Sequence, residues 1–131
     1  MSTTDRFTGI EVITLPKFEP VNISELKDSL RLHGCSDDDA LLGALISAAR
    51  VAIERAQKRT IVQTQWKMYL DDWMDPIRPI RPNLVSVDQI DYIDTAGDTQ
   101  TLDNANYNVD TASQPGRIQR AYGVTWPSLQ T

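Results

Sequence analysis

The period of the apolar pattern changes once along this chain, and that change limits the folds open to it. Up to about Arg59 the apolar residues recur at helical spacing. From Thr60 they alternate as in strands, broken by turn residues. Helices that precede a run of strands, rather than alternating with them, imply an α+β fold rather than a parallel α/β sheet. The expected architecture is an N-terminal antiparallel helix pair followed by a small antiparallel β-sheet of meanders or hairpins. Residues 1–20 read as an extended N-terminal arm, and 21–131 as one domain with a helical part (21–59) and a β part (60–131).

Within the arm, Pro16 and Pro20 bracket Lys17-Phe18-Glu19, and Ile10, Val12 and Ile13 suggest a short edge strand. Asn22 and Glu25, three residues apart, form a capping-box pattern that starts a first helix. Ile23, Leu26 and Leu30 share one of its faces, and Gly34 marks its end near Leu32. Ser36 is placed to cap a second helix whose first turn holds Asp37, Asp38 and Asp39. Arg55, Lys58 and Arg59 occupy its far end, so both ends complement the helix dipole. Running from Asp37 to Lys58, it would be roughly 33 Å long. Leu42, Ile46, Ala49 and Ile53 make an apolar stripe, widened by Leu41 and Leu45.

The same helix carries Ala40, Ala44, Ala48, Ala52 and Ala56 at steps of four. Such a row drifts about 40° per step, so it winds round the helix. Close packing within the subunit is the favoured account, and close packing between copies is the sharper one.

In the second half, Trp66, Met68 and Leu70 alternate with Gln65, Lys67 and Tyr69, as on a half-buried strand. Residues 77–82 hold two prolines and fit an edge strand or an extended loop. Leu84 to Asp94 reads as a strand whose apolar parity shifts, suggesting a bulge or burial on both faces. Thr95-Ala96-Gly97-Asp98 reads as a hairpin turn, with Thr99 to Leu102 returning. Tyr107 to Asp110 and Arg117 to Gln119 read as strands joined through Gln114-Pro115-Gly116, where the glycine is expected to supply a positive φ.

Chemistry-bearing residues are sparse. The one histidine, His33, and the one cysteine, Cys35, flank Gly34 in a connecting turn; neither a metal site nor an activated nucleophile is expected there. Asp71, Asp72 and Asp75 are the best acid cluster, but they sit at a strand end beside Pro76, where a solvated turn is the simpler account. The glycines are scattered and make no phosphate loop. No catalytic, metal or cofactor residue is assigned.

Net charge is −5 and the pI about 4.7, which argues against a dedicated nucleic-acid binder. A helix-turn-helix DNA-binding or packaging accessory protein is the alternative class, and the three aspartates opening its would-be recognition helix count against it. The N-terminus has no signal-peptide pattern and no apolar run reaches membrane-spanning length, so synthesis in a host cytoplasm is expected.

Asn22-Ile23-Ser24-Glu25-Leu26-Lys27, Asp38-Asp39-Ala40-Leu41-Leu42 and Thr64-Gln65-Trp66 are similar to segments of the tailed-phage head–tail connector (adaptor, or head-completion) family. Pro82-Asn83-Leu84-Val85-Ser86-Val87, Ile90-Asp91-Tyr92-Ile93-Asp94, Tyr107-Asn108-Val109-Asp110, Pro115-Gly116-Arg117-Ile118 and Trp126-Pro127 follow in the family's order. The resemblance covers roughly residues 20 to 127 and rests on the ordered set.

It implies a virion structural role in the neck of a phage or a related gene-transfer particle. Such subunits form a ring, commonly twelve-fold, beneath the portal protein. The ring extends the DNA channel without sequence-specific binding and docks the next neck or tail (stopper) protein, with no membrane partner. Family members usually continue past Trp-Pro into a portal-contacting region, whereas this chain ends at Thr131. The residues expected at a subunit or partner interface are Ala44, Ala48, Ala52, Arg55, Trp73, Arg78, Arg81 and Trp126.

Overall fold

The structure, a computed structural model, describes residues 7–131. Their order is β1 (Phe7–Thr14), α1 (Ile23–Leu30), α2 (Asp39–Gln57), β2 (Gln65–Leu70), β3 (Asp91–Ile93), β4 (Thr99–Thr101), β5 (Tyr107–Asp110) and β6 (Arg117–Arg120). Strands pair as β1–β2, β3–β4 and β5–β6. The β3–β4 and β5–β6 ladders are antiparallel. Across β1–β2, side-chain bonds join Thr8 to Asp71, Glu11 to Tyr69 and Thr14 to Gln65, an order that also runs antiparallel. The fold is α+β, with two helices and small two-stranded sheets. The expected short edge strand in the arm is β1; residues 1–6 of that arm lie outside the described residues.

The chain divides into two units, one of Val12–Trp66 and one of residues 7–11 with Lys67–Thr131. In the first, α1 starts on a full capping box: the Asn22 side chain accepts from the Glu25 amide and Glu25 accepts from the Asn22 amide. Its end differs from expectation. Gly34 does take a positive φ, 79°, but the helix closes earlier, at Arg31 with φ 58°, where the Arg31 and Leu32 amides bond back to Asp28 and Lys27. These bonds satisfy the last carbonyls and stop the helix two residues early.

α2 is also shorter, 19 residues from Asp39, with Asp38 at the N-cap and no side-chain cap. Ser36 contributes only its backbone carbonyl, to the Asp39 amide. Lys58 closes the C-terminus at φ 52°.

The second unit packs around Ile77, Leu102, Tyr107 and Ile118, with Met68, Leu70, Trp73, Leu84, Ile90, Tyr92 and Trp126 against them. In β2, Trp66, Met68 and Leu70 are half-buried and their neighbours exposed, the alternation expected. Segment 77–82 is a loop that adds one bridge, Ile77 to Ile118. From Leu84 to Ile90 no strand forms. Leu84, Val87 and Ile90 are half-buried at every third residue, a spacing that accounts for the shifted parity. The β3–β4 turn is as expected: Gly97 sits at φ +90° and its amide bonds to Asp94.

Gly116 corrects an expectation. It is buried, its φ is not positive, and a Cβ built on it would lie 2.6 Å from the Leu84 Cβ. The glycine is there because Leu84 and the Asp110 carbonyl leave no room for a side chain, not for its freedom in φ.

Candidate interaction surface

α2 has two distinct sides. Leu42 and Glu54 are buried; Gly43, Ile46, Ser47, Arg50 and Val51 are half-buried; Ala40, Leu41, Ala44, Leu45, Ala48, Ala49, Ala52, Ile53, Arg55 and Ala56 are exposed. At 100° per residue the exposed set gathers on one side. The apolar stripe read from the sequence is therefore split. Leu42 and Ile46 turn inward, while Leu41, Leu45 and Ile53 remain 58%, 54% and 46% exposed.

The inner side is polar at its centre. Arg50 donates through Nε to Glu19 at 2.7 Å and through Nη1 to Glu54 at 2.9 Å. Ser47 donates to the same Glu19 carboxylate, and the second Glu54 oxygen accepts the Ile61 amide. Charge-assisted bonds of this kind are about twice as strong as neutral ones. They tie the 16–20 segment, through Glu19, to α2. The Arg50 guanidinium, helped by the Ser47 hydroxyl, holds the Glu19 carboxyl below its ordinary value, and Glu19 in turn holds Arg50 above its own. Sequence pattern had bracketed Glu19 between Pro16 and Pro20 without giving it a partner.

The other expected interface residues fall elsewhere. Ala44, Ala48, Ala52 and Arg55 all lie on the exposed side of α2. Trp73 and Trp126 instead stack on each other, ring centroids 4.7 Å apart and 7° from parallel, and Trp73 donates to the Pro127 carbonyl. Both pack against the core of their unit. Arg78 is exposed and Arg81 half-buried.

The charged clusters have local partners. Arg117 pairs with Asp110 and Arg120 with Asp75. Asp71 accepts from Thr8, and Asp72 from the Trp73 amide. Asp94 accepts the Ala96 and Asp98 amides within its own turn. The Thr101 hydroxyl and Gln89 amide lower the Asp91 carboxyl, and the Ser113 hydroxyl and backbone lower that of Asp110. These are the marks of turn-fixing carboxylates, which have no proton to exchange near neutral pH. His33 and Cys35 are exposed in the α1–α2 connection. Among the described residues no group of three or more His, Cys, Asp or Glu side chains is placed to hold a metal ion, and no helix is long and apolar enough to cross a membrane.

Exposed apolar side chains in this unit include the outer side of α2 and, apart from it, Leu15 and Phe18, 75% and 69% exposed, in the segment that Glu19 tethers. Isolated exposed apolar residues are ordinary, but clustered ones mark an interaction site.

No known family profile matches the chain, and no curated protein matches it. Among solved structures, it is similar to a chain in the neck of an empty gene transfer agent (GTA) particle, computed with C6 symmetry. The TM-score is 0.74 and the sequence identity 22%, over 95% of this chain and 66% of that one. The likeness is one of fold, and this chain spans just under two thirds of the length of its neighbour.

Proposed function

We propose that this chain is a structural subunit of the neck of a tailed phage or phage-like gene-transfer particle. It acts as a head–tail connector that assembles into a ring beneath the portal, extends the DNA channel and docks the next neck or tail protein. The observation that carries this reading is the fold likeness, which takes in nearly the whole chain and belongs to a particle neck.

Three physical features support it. The exposed side of α2, with Ala44, Ala48, Ala52 and Arg55 beside Leu41 and Leu45, offers apolar contact area where small residues let another chain approach closely. Asp71, Asp72, Asp94 and the Asp110–Arg117 and Asp75–Arg120 pairs are engaged in turns and ion pairs, as suits a building block. The net charge of −5 favours a channel wall that repels phosphate, so DNA slides past without adhering. A twelve-fold ring contains the six-fold symmetry with which the neighbour's neck was computed.

Electron microscopy of the purified chain, alone and mixed with the portal of the same particle, tests the proposal. The expected result is a closed ring with a central opening, alone or seated on portal. A chain that stays monomeric in both cases refutes it. Gel-shift titration at low salt is expected to show no retention of duplex DNA; salt-sensitive retention would overturn the repelling-channel part.

A further inference from the structure

The unit Val12–Trp66 carries two exposed apolar patches on opposite sides of one helix. Leu41, Leu45, Ala48 and Ala52 fall within about 60° of one another on α2, and Arg50 lies about 170° round from their centre. Arg50 is where Glu19 is held. The arm segment with Leu15 and Phe18 is therefore fastened to the side of α2 opposite its bare apolar face.

From this geometry, and on the ring reading above, we infer that the arm of one copy docks on the outer face of α2 in the next: Leu15 and Phe18 of one subunit pack onto Leu41 and Leu45 of its neighbour, beside Ala48 and Ala52. Three observations select a second copy as occupant. First, the contacts of a two-fold pair share one face of each subunit, so a pair engages one side of α2 and leaves the other bare, whereas joining the arm side to the outer face uses both in every subunit and propagates around an axis. Second, the patches differ in relief. The arm presents two bulky side chains, and the helix face presents leucines separated by Ala44 and Ala48, whose small side chains leave hollows between them. Third, the flanking charges are opposite: exposed Lys17 stands between Leu15 and Phe18, and exposed Asp37 and Asp38 precede the helix face near Leu41. Exposed apolar side chains grouped in this way mark an interaction site. A stable interface takes about 800 Å² per partner, so a subunit gains by engaging both.

The test uses two full-length variants, Leu15→Asp/Phe18→Asp and Leu41→Glu/Leu45→Glu, checked for unchanged circular dichroism and melting. All four positions are exposed, so the fold is expected to persist; Phe18→Ser and Leu45→Ser serve as milder versions. Mass is read by light scattering on a sizing column. Wild type is expected to form rings under the conditions above, and each variant alone to stay monomeric. An equimolar mixture has one intact arm and one intact helix face, so it is expected to give a one-to-one dimer that grows no further. On a Cys35→Ser background, Phe18→Cys mixed with Leu45→Cys is expected to give a disulfide-linked dimer on oxidation.

Rings formed by either double variant, or a mixture that neither dimerises nor cross-links while wild type forms rings, overturn this inference alone. A wild type that forms no ring, even on portal, overturns the proposed function and this inference with it.

Discussion

Replacing Arg50 by Leu removes the cation at the centre of the α2 inner side while keeping most of its bulk. The side chains of Arg50 and Glu54 are each 9% exposed, and that of Glu19 is 28% exposed. Removing one partner of a buried pair costs about 3–5 kcal/mol, because the remaining charge has lost its compensation. Glu19 is open enough to turn toward water, so its share is about 1 kcal/mol or less, as for surface pairs. Glu54 is enclosed and retains the Ile61 amide at 2.8 Å. The total for Arg50→Leu therefore falls near the lower end, about 3 kcal/mol. For a chain of 131 residues that corresponds to a fall in Tm of roughly 10 °C. Urea denaturation followed by far-ultraviolet circular dichroism measures it. Adding Glu54→Gln to Arg50→Leu removes the enclosed carboxylate charge that has lost Arg50 and is expected to restore more than about 1 kcal/mol. A loss under about 1 kcal/mol for Arg50→Leu, or no recovery in the double variant, would refute the idea that these groups act as a buried network.

Gly116→Ala sets a methyl group against Leu84 and the Asp110 carbonyl; overpacking predicts a loss of about 1–3 kcal/mol, measurable as a lower denaturation midpoint, and an unchanged midpoint would contradict the close approach. Asn22→Ala removes both the acceptor for the Glu25 amide and the capping box of α1, with an expected cost of about 1 kcal/mol in the same assay. The Glu19 carboxyl is held below its unfolded value by Arg50 and Ser47, so the unfolded chain binds the proton more readily. Its stabilising contribution is then complete above the unfolded value and fades as pH falls through the folded one. Denaturation midpoints taken from neutral to acid pH are expected to fall less steeply for Glu19→Gln than for wild type; parallel slopes would remove Glu19 from the acid response.

Much of the local structure is legible in the residues. The Asn22/Glu25 box, the alternation of β2 and the Gly97 turn all rest on interactions within a few positions, which pattern captures. What pattern missed depends on distant partners. Arg50 and Glu54, four apart, look like a solvent-exposed helix pair, but Glu19, 31 positions from Arg50, joins them and the site closes. Leu41 and Leu42 are adjacent and equally apolar; which one turns inward is decided by what lies against α2, including Ile23, whose Cδ1 would lie 3.8 Å from a Cβ built on Gly43. Gly116 follows a proline in an ordinary turn signature, yet its constraint comes from Leu84, far along the chain. The two tryptophans expected at an interface stack on each other because β2 and the 121–131 segment bring them together. The alanine row of α2, read as winding round the helix, lies wholly on its exposed side, and the Leu15/Phe18 arm was not legible, since its Glu19 tether is a tertiary contact.

The central claim is that this chain builds the neck of a particle. Cryo-electron microscopy of particles assembled with a tagged copy of the chain tests it most directly. The account predicts tag density in a ring at the head–tail junction, between portal and the next neck component, in a number set by the symmetry of the neck. Tag density in the capsid wall or at the tail tip, or particles with complete necks that lack the chain, would contradict it.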